Sequence, residues 1–132
     1  MMEAMAAMEP AAILRAFGER LASGDAAGAA SLFTEDASYA EPPAHAFTGR
    51  AALHTFIADF AAHHHAVSFT VTRTLAAPDG HEAATLWRWA YTRDADGQRR
   101  VFEGACFLTL RDGLIASWQG YSARVESVES VE

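Results

Sequence analysis

Apolar residues recur at helical spacing through the first half of the chain and at alternate positions through the second, and the change of period falls near Ala66. Before it, Ile13, Leu14, Phe17 and Leu21 follow Pro10 and stop at Gly24. Proline suits the first helical position, where its missing N–H would have no partner, and glycine suits the end, so the stretch predicts one amphipathic helix. Asp25 is placed to cap a second, short helix that buries Leu32 and Phe33. The segment "TEDASYAEPP" then predicts a turn, a short strand and a proline stop. After Gly49, residues Ala52, Leu53, Phe56, Ile57 and Phe60 share one face of a third helix that ends near the run His63, His64, His65.

From Ala66 the period is two. Val67, Phe69 and Val71 alternate with Ser68, Thr70 and Thr72, a β-branched pattern that predicts a strand to about Leu75. Turn chemistry in "APDG", "DADG" and "RDG" separates it from strands over Glu82–Arg93, Arg99–Arg111 and Leu114 to about Arg124. Helices ahead of a meander predict an α+β domain: three N-terminal helices packed on a strongly curved antiparallel sheet, an α+β cone of cystatin-like type. One such domain spans residues 10–124, between a short arm at 1–9 and an acidic tail at 125–132.

Parity divides the second of these strands. Thr85, Trp87, Trp89 and Tyr91 share one face, and Ala84, Leu86, Arg88 and Ala90 share the other. Each large ring must remove about 150–250 Å² from water, more than the helices alone cover, so the surplus lines a cavity or an interface. The opposite face is also apolar enough to predict a homodimer through the sheet.

Composition narrows the function classes. The 132 residues suit one domain, and the net charge of −7, with ten arginines and no lysine scattered along the chain, argues against nucleic acid. Cys106 is the only cysteine, which rules out an intrachain disulfide and fits a reducing, cytoplasmic setting. No run approaches the roughly 20 apolar residues of a membrane span, and the acidic start lacks a charged leader, so no membrane partner is expected.

The stretch "SGD" between the first two helices, "LFTEDASY" before the first strand, "GRAAL" opening the third helix, and "RDGLIASW" and "GYS" near the end carry a resemblance. They resemble the cone-shaped α+β domains that include nuclear transport factor 2, ketosteroid isomerase and SnoaL-like polyketide cyclases, over about Pro10 to Arg124. The resemblance implies a fold that hosts many reactions. By the shared LF, acidic pair and proline, Glu41 falls on the isomerase's general base. The position of the isomerase's oxyanion tyrosine is Phe17, which has no hydroxyl, and the position of its protonated acid is Cys106, a weak donor. The acids that the cyclase and epoxide-hydrolase branches carry on later strands are missing, Ser122 standing where relatives have aspartate; Glu103 faces away by parity.

Glu41 is thus the candidate base: a carboxylate buried beside aromatics resists ionisation, and the following proline holds its backbone extended. His45 reads as a partly exposed turn residue. Three adjacent histidines on a helix point about 100° apart and cannot converge on one ion, so no metal is expected. Phe17, Trp87, Trp89, Tyr91 and Cys106 are expected to wall the cone, and Gln119 and Tyr121, which share a face, to donate to a ligand carbonyl. The functional expectation is a cofactor-independent isomerase or cyclase-type proton transfer on a small apolar, carbonyl-containing molecule. The alternative is a non-catalytic binding or dimeric scaffold domain of the same fold.

Overall fold

The computed structural model describes residues 9–43 and 45–125, so nearly all of the expected arm and acidic tail lies outside the described residues. Helix α1 (Pro10–Ser23) begins on its proline and ends on Gly24, whose φ of 78° is left-handed; the turn closes with Asp25 N–H on the Arg20 carbonyl at 2.9 Å. Ile13, Leu14, Phe17 and Leu21 are buried as the spacing predicts. Gly18 permits the close approach of this helix to the sheet: a Cβ there would sit 2.6 Å from the Phe69 carbonyl oxygen. Helix α2 (Ala26–Ala30) is capped by the Asp25 carboxylate, which accepts from Gly28 N–H at 2.9 Å. It is shorter than expected. Leu32 follows it and Phe33 already opens the first strand, so both are buried by the sheet's entry rather than by a helix face.

Strand β1 (Phe33–Glu41) runs nine residues, longer than the short strand predicted, and pairs with β2 (His45–Thr48), which the sequence did not reveal. Helix α3 (Arg50–His63) follows, anchored where the Arg50 guanidinium donates twice to the Phe33 carbonyl at 2.7 and 2.9 Å. Strands β3 (His64–Ala76), β4 (Glu82–Arg93), β5 (Arg99–Arg111) and β6 (Leu114–Arg124) form the expected meander.

The sheet order is β2-β1-β6-β5-β4-β3, and β1 runs parallel to β6. The curved sheet is therefore mixed rather than antiparallel, because the chain returns through α3 and three strands before β6 reaches β1. The consequence is positional. The end of the first strand comes to lie beside the middle of the last, with Ala40 opposite Gln119.

The core sits between the helices and the inner face. Trp118, Phe33, Ile13, Leu14, Leu108, Ile115 and Cys106 are its most completely enclosed side chains. No helix among the described residues is long and apolar enough to cross a membrane.

Candidate functional site

Residues aligned across the ladder share a face, which gives the inner face in rows. One row holds Thr85, Cys106 and Gly120, and Glu41 closes it as the residue after Ala40. The next holds Trp87, Gly104 and Ser122; beyond it lie Trp89, Phe102 and Arg124, and then Tyr91 with Arg100. Glu41 is partly buried and its carboxylate accepts from the Trp118 indole Nε1 at 3.1 Å. Gly120 makes the space, since a Cβ there would lie 2.8 Å from both Glu41 Oε2 and Trp118 Nε1. Tyr39 stacks on Trp118 with centroids 5.3 Å apart, and its phenol is near enough to influence the same carboxylate.

Burial pushes the Glu41 carboxyl above its ordinary value, against the pull of the Trp118 and Tyr39 donors and the nearby His45. Burial likewise drives the Tyr39 phenol well above the usual tyrosine range, with the Glu41 charge adding to it. Both effects favour a protonated pair. Across the row, Cys106 Sγ lies 3.3 Å from Thr85 Oγ1, and burial raises its thiol to about 11 despite Thr85 and Trp87. A neutral thiol is therefore the resident form at neutral pH. Trp87 Nε1 is buried beside that sulfur without an acceptor at hydrogen-bond geometry among the described residues.

The sequence-predicted residues divide into four groups. Glu41 and Cys106 lie in one row of the inner face, Cys106 fully buried and Glu41 partly so. Phe17 and Trp87 are core, 3% and 4% exposed: Phe17 meets Phe33 and Phe69 edge-on at 5.6 Å, and Trp87 stacks on Phe69 at 5.3 Å. The rings fill the floor of the cone that was expected to be open. Trp89 and Tyr91 are half-buried nearer the mouth, where Phe60 of α3 lies against both at 5.1 and 5.0 Å.

Gln119 and Tyr121 are corrected. They share a face, but Trp118 and Gly120 take the inward positions of β6, so Gln119 and Tyr121 point out, where Gln119 Nε2 donates to Tyr121 Oη at 2.6 Å. Neither reaches Glu41. Glu103 is outward too, paired with Arg88 at 2.7 Å. His45 is no turn residue: it opens β2 directly opposite Glu41, its ring 4.8 Å from that of Phe56.

Sequence reasoning missed Tyr39, Trp118 and Gly120. Parity puts Trp118 and Gly120 on one face of β6, but only the parallel contact with β1 brings that face to Glu41. The histidines diverge, His63 to the Asp59 carbonyl, His64 to the Phe60 carbonyl and His65 to Asp94. Among the described residues no three His, Cys, Asp or Glu side chains are grouped to hold a metal. Two surface depressions lie away from Glu41. One of about 310 Å³ sits between α2 and α3, and one of about 670 Å³ lies over Leu86, Ala105 and Tyr121.

A SnoaL-like domain model matches residues 14–118. The chain belongs to the SnoaL-like family. Among solved structures, a hypothetical protein with a ketosteroid isomerase-like fold from Catenulispora acidiphila, in complex with trimethylamine, is 21% identical at TM-score 0.75, covering 86% of each chain. A candidate polyketide cyclase from Pseudomonas putida is 20% identical at TM-score 0.75, over 86% of this chain and 91% of that one. An epoxide hydrolase of M. tuberculosis, described as LEH-like, is 18% identical at TM-score 0.73, over 84% of this chain and 80% of that one. At these identities the likeness shows the fold. No curated protein matches the chain.

Proposed function

We propose that this SnoaL-like domain catalyses cofactor-independent proton transfer on a small carbonyl-containing molecule, with Glu41 as the base. One observation carries the reading: Glu41 is a partly buried carboxylate on the inner face, held by the Trp118 indole and raised in pKa by burial. A base poised in this way takes a proton at neutral pH more readily than an exposed carboxylate, and its aim is fixed.

In the proposed step, ionised Glu41 removes a proton from the carbon beside the carbonyl. The C–H electron pair becomes a C=C bond and the carbonyl oxygen becomes an enolate. With Gln119 and Tyr121 outside, the donor is the unpartnered Trp87 Nε1–H of the next row, with the neutral Cys106 thiol beside it. Glu41 then returns the proton to carbon. The Phe17 and Phe69 rings must give way as the ligand enters.

Exchange of α-protons for deuterium, followed by NMR over ketones and conjugated lactones, tests this. Glu41→Gln is expected to slow exchange by about 10²- to 10⁴-fold, the usual worth of a general base. Exchange at the native rate would remove Glu41 from the reaction.

We also propose that a second copy of this chain covers the outer face of the sheet. Leu75, Leu86, Phe107 and Tyr121 stand there 48–63% exposed, beside the Arg88–Glu103 pair, whose opposite charges two copies related by a twofold axis can exchange.

A further inference from the structure

At the mouth of the cone the inner face changes from rings to guanidinium groups. Arg100 is aligned with Tyr91, Arg124 with Phe102, and Arg93 with His64, whose ring packs edge-on against Tyr91 at 4.8 Å. Burial raises the Tyr91 phenol above its ordinary value, and the charges of Arg100, Arg93 and Arg124 pull against it, Arg100 most.

Only one of the three has a carboxylate among the described residues, Arg93, which donates to Asp96 at 2.6 Å. Elsewhere Arg20, Arg50, Arg88, Arg99 and Arg111 each donate to an oxygen. Arg100 shows no such bond, and its Nε is buried without a partner, as is the Nε of Arg93. Among the described residues neither the half-buried Arg100 nor the exposed Arg124 has a carboxylate partner, so donors are left unused beside Tyr91.

We propose that Arg100 and Arg124 bind the carboxylate of an organic acid whose apolar body lies against Trp89, Phe102 and Phe60. Guanidinium groups match a planar carboxylate in pairs, and Tyr91 Oη adds a donor at the same place. The aromatic wall alone would also suit a quaternary ammonium, but three arginines around Tyr91 make that charge unfavourable. From Phe102 to Cys106 is four residues of β5, roughly 13 Å at strand rise, which spaces the acid from the row that contains Glu41. The inference rests on the cone taking up a small molecule, and it adds the substrate class: an elongated acid that enters carbonyl first.

A matched pair of probes, 2-naphthoate and 2-naphthamide, separates the two claims by calorimetry on the full chain. The native protein is expected to bind the acid about tenfold or more tightly than the amide, as charge-assisted hydrogen bonds imply. The ratio is expected to fall near one in the Arg100→Gln, Arg124→Gln double variant and to persist in Arg15→Gln on α1. Equal binding of acid and amide to the native protein overturns the carboxylate site and leaves the cone reading intact. A preference that survives in the double variant overturns the assignment to these two arginines. Binding of neither probe overturns both the carboxylate site and the cone that it serves.

Discussion

The indole N–H of Trp118 and the carboxylate of Glu41 meet at 3.1 Å although 77 positions of sequence separate them. That bond favours the charged carboxylate, so it opposes the rise that burial imposes. Trp118→Phe keeps a ring and removes the donor. The Glu41 titration midpoint, read from its side-chain carbon shift, is expected to move further up. The smaller ring also leaves space among Phe17, Phe33 and Tyr39, costing about 1–3 kcal/mol in urea unfolding. An unmoved midpoint would mean that Tyr39 alone sets the carboxyl.

Because folding raises the pKa of Glu41, the native state holds a proton that the unfolded chain releases. Stability from this group is fully present below the unfolded value and is lost as pH rises through the folded one. At neutral pH, Glu41→Gln is therefore expected to be more stable than the native protein by on the order of 1 kcal/mol, as when a buried charge is replaced by a neutral isostere. The gap should close on going from about pH 7 to about pH 4 in a series of thermal unfolding curves. A gap independent of pH would sink this reading of the carboxyl.

Phe107 is 63% exposed on the outer face, aligned with Gln119 and Ala84. Phe107→Glu puts two like charges near one another if copies pair through that face. Sedimentation is expected to shift from dimer to monomer, with stability of the separated chain changed by no more than about 0.5 kcal/mol, the usual scale for a surface site. Unchanged assembly would place the interface elsewhere or show that none forms.

Much of the fold was legible because short-range rules decided it. Pro10 and Gly24 bracket α1, the glycine turns separate β3 to β6, and the apolar periods name the buried faces. What was not legible is long-range. Strand β2 has only four residues and follows two prolines, too little for a period to show, and with it went the pairing of His45 with Glu41. The parallel contact of β1 with β6 has no local signature at all. At the site, Glu41 was found from its neighbours in sequence, whereas Trp118 and Gly120 become its partners only through that contact. Gln119 and Tyr121 were grouped correctly and put on the wrong face, since alternation gives parity but not direction. The helices supply direction, by covering the side on which Trp118 lies.

The parallel seam between β1 and β6 also sets an order in time. A ribosome presents Glu41 long before Trp118 and Gly120, so β1 waits with one edge unpaired while the intervening strands are made. The carboxylate can be desolvated only once the final strand docks. Burial of Glu41 and completion of the fold then arrive in the same event, and a chain released before β6 would carry the carboxylate without the surroundings that raise its pKa.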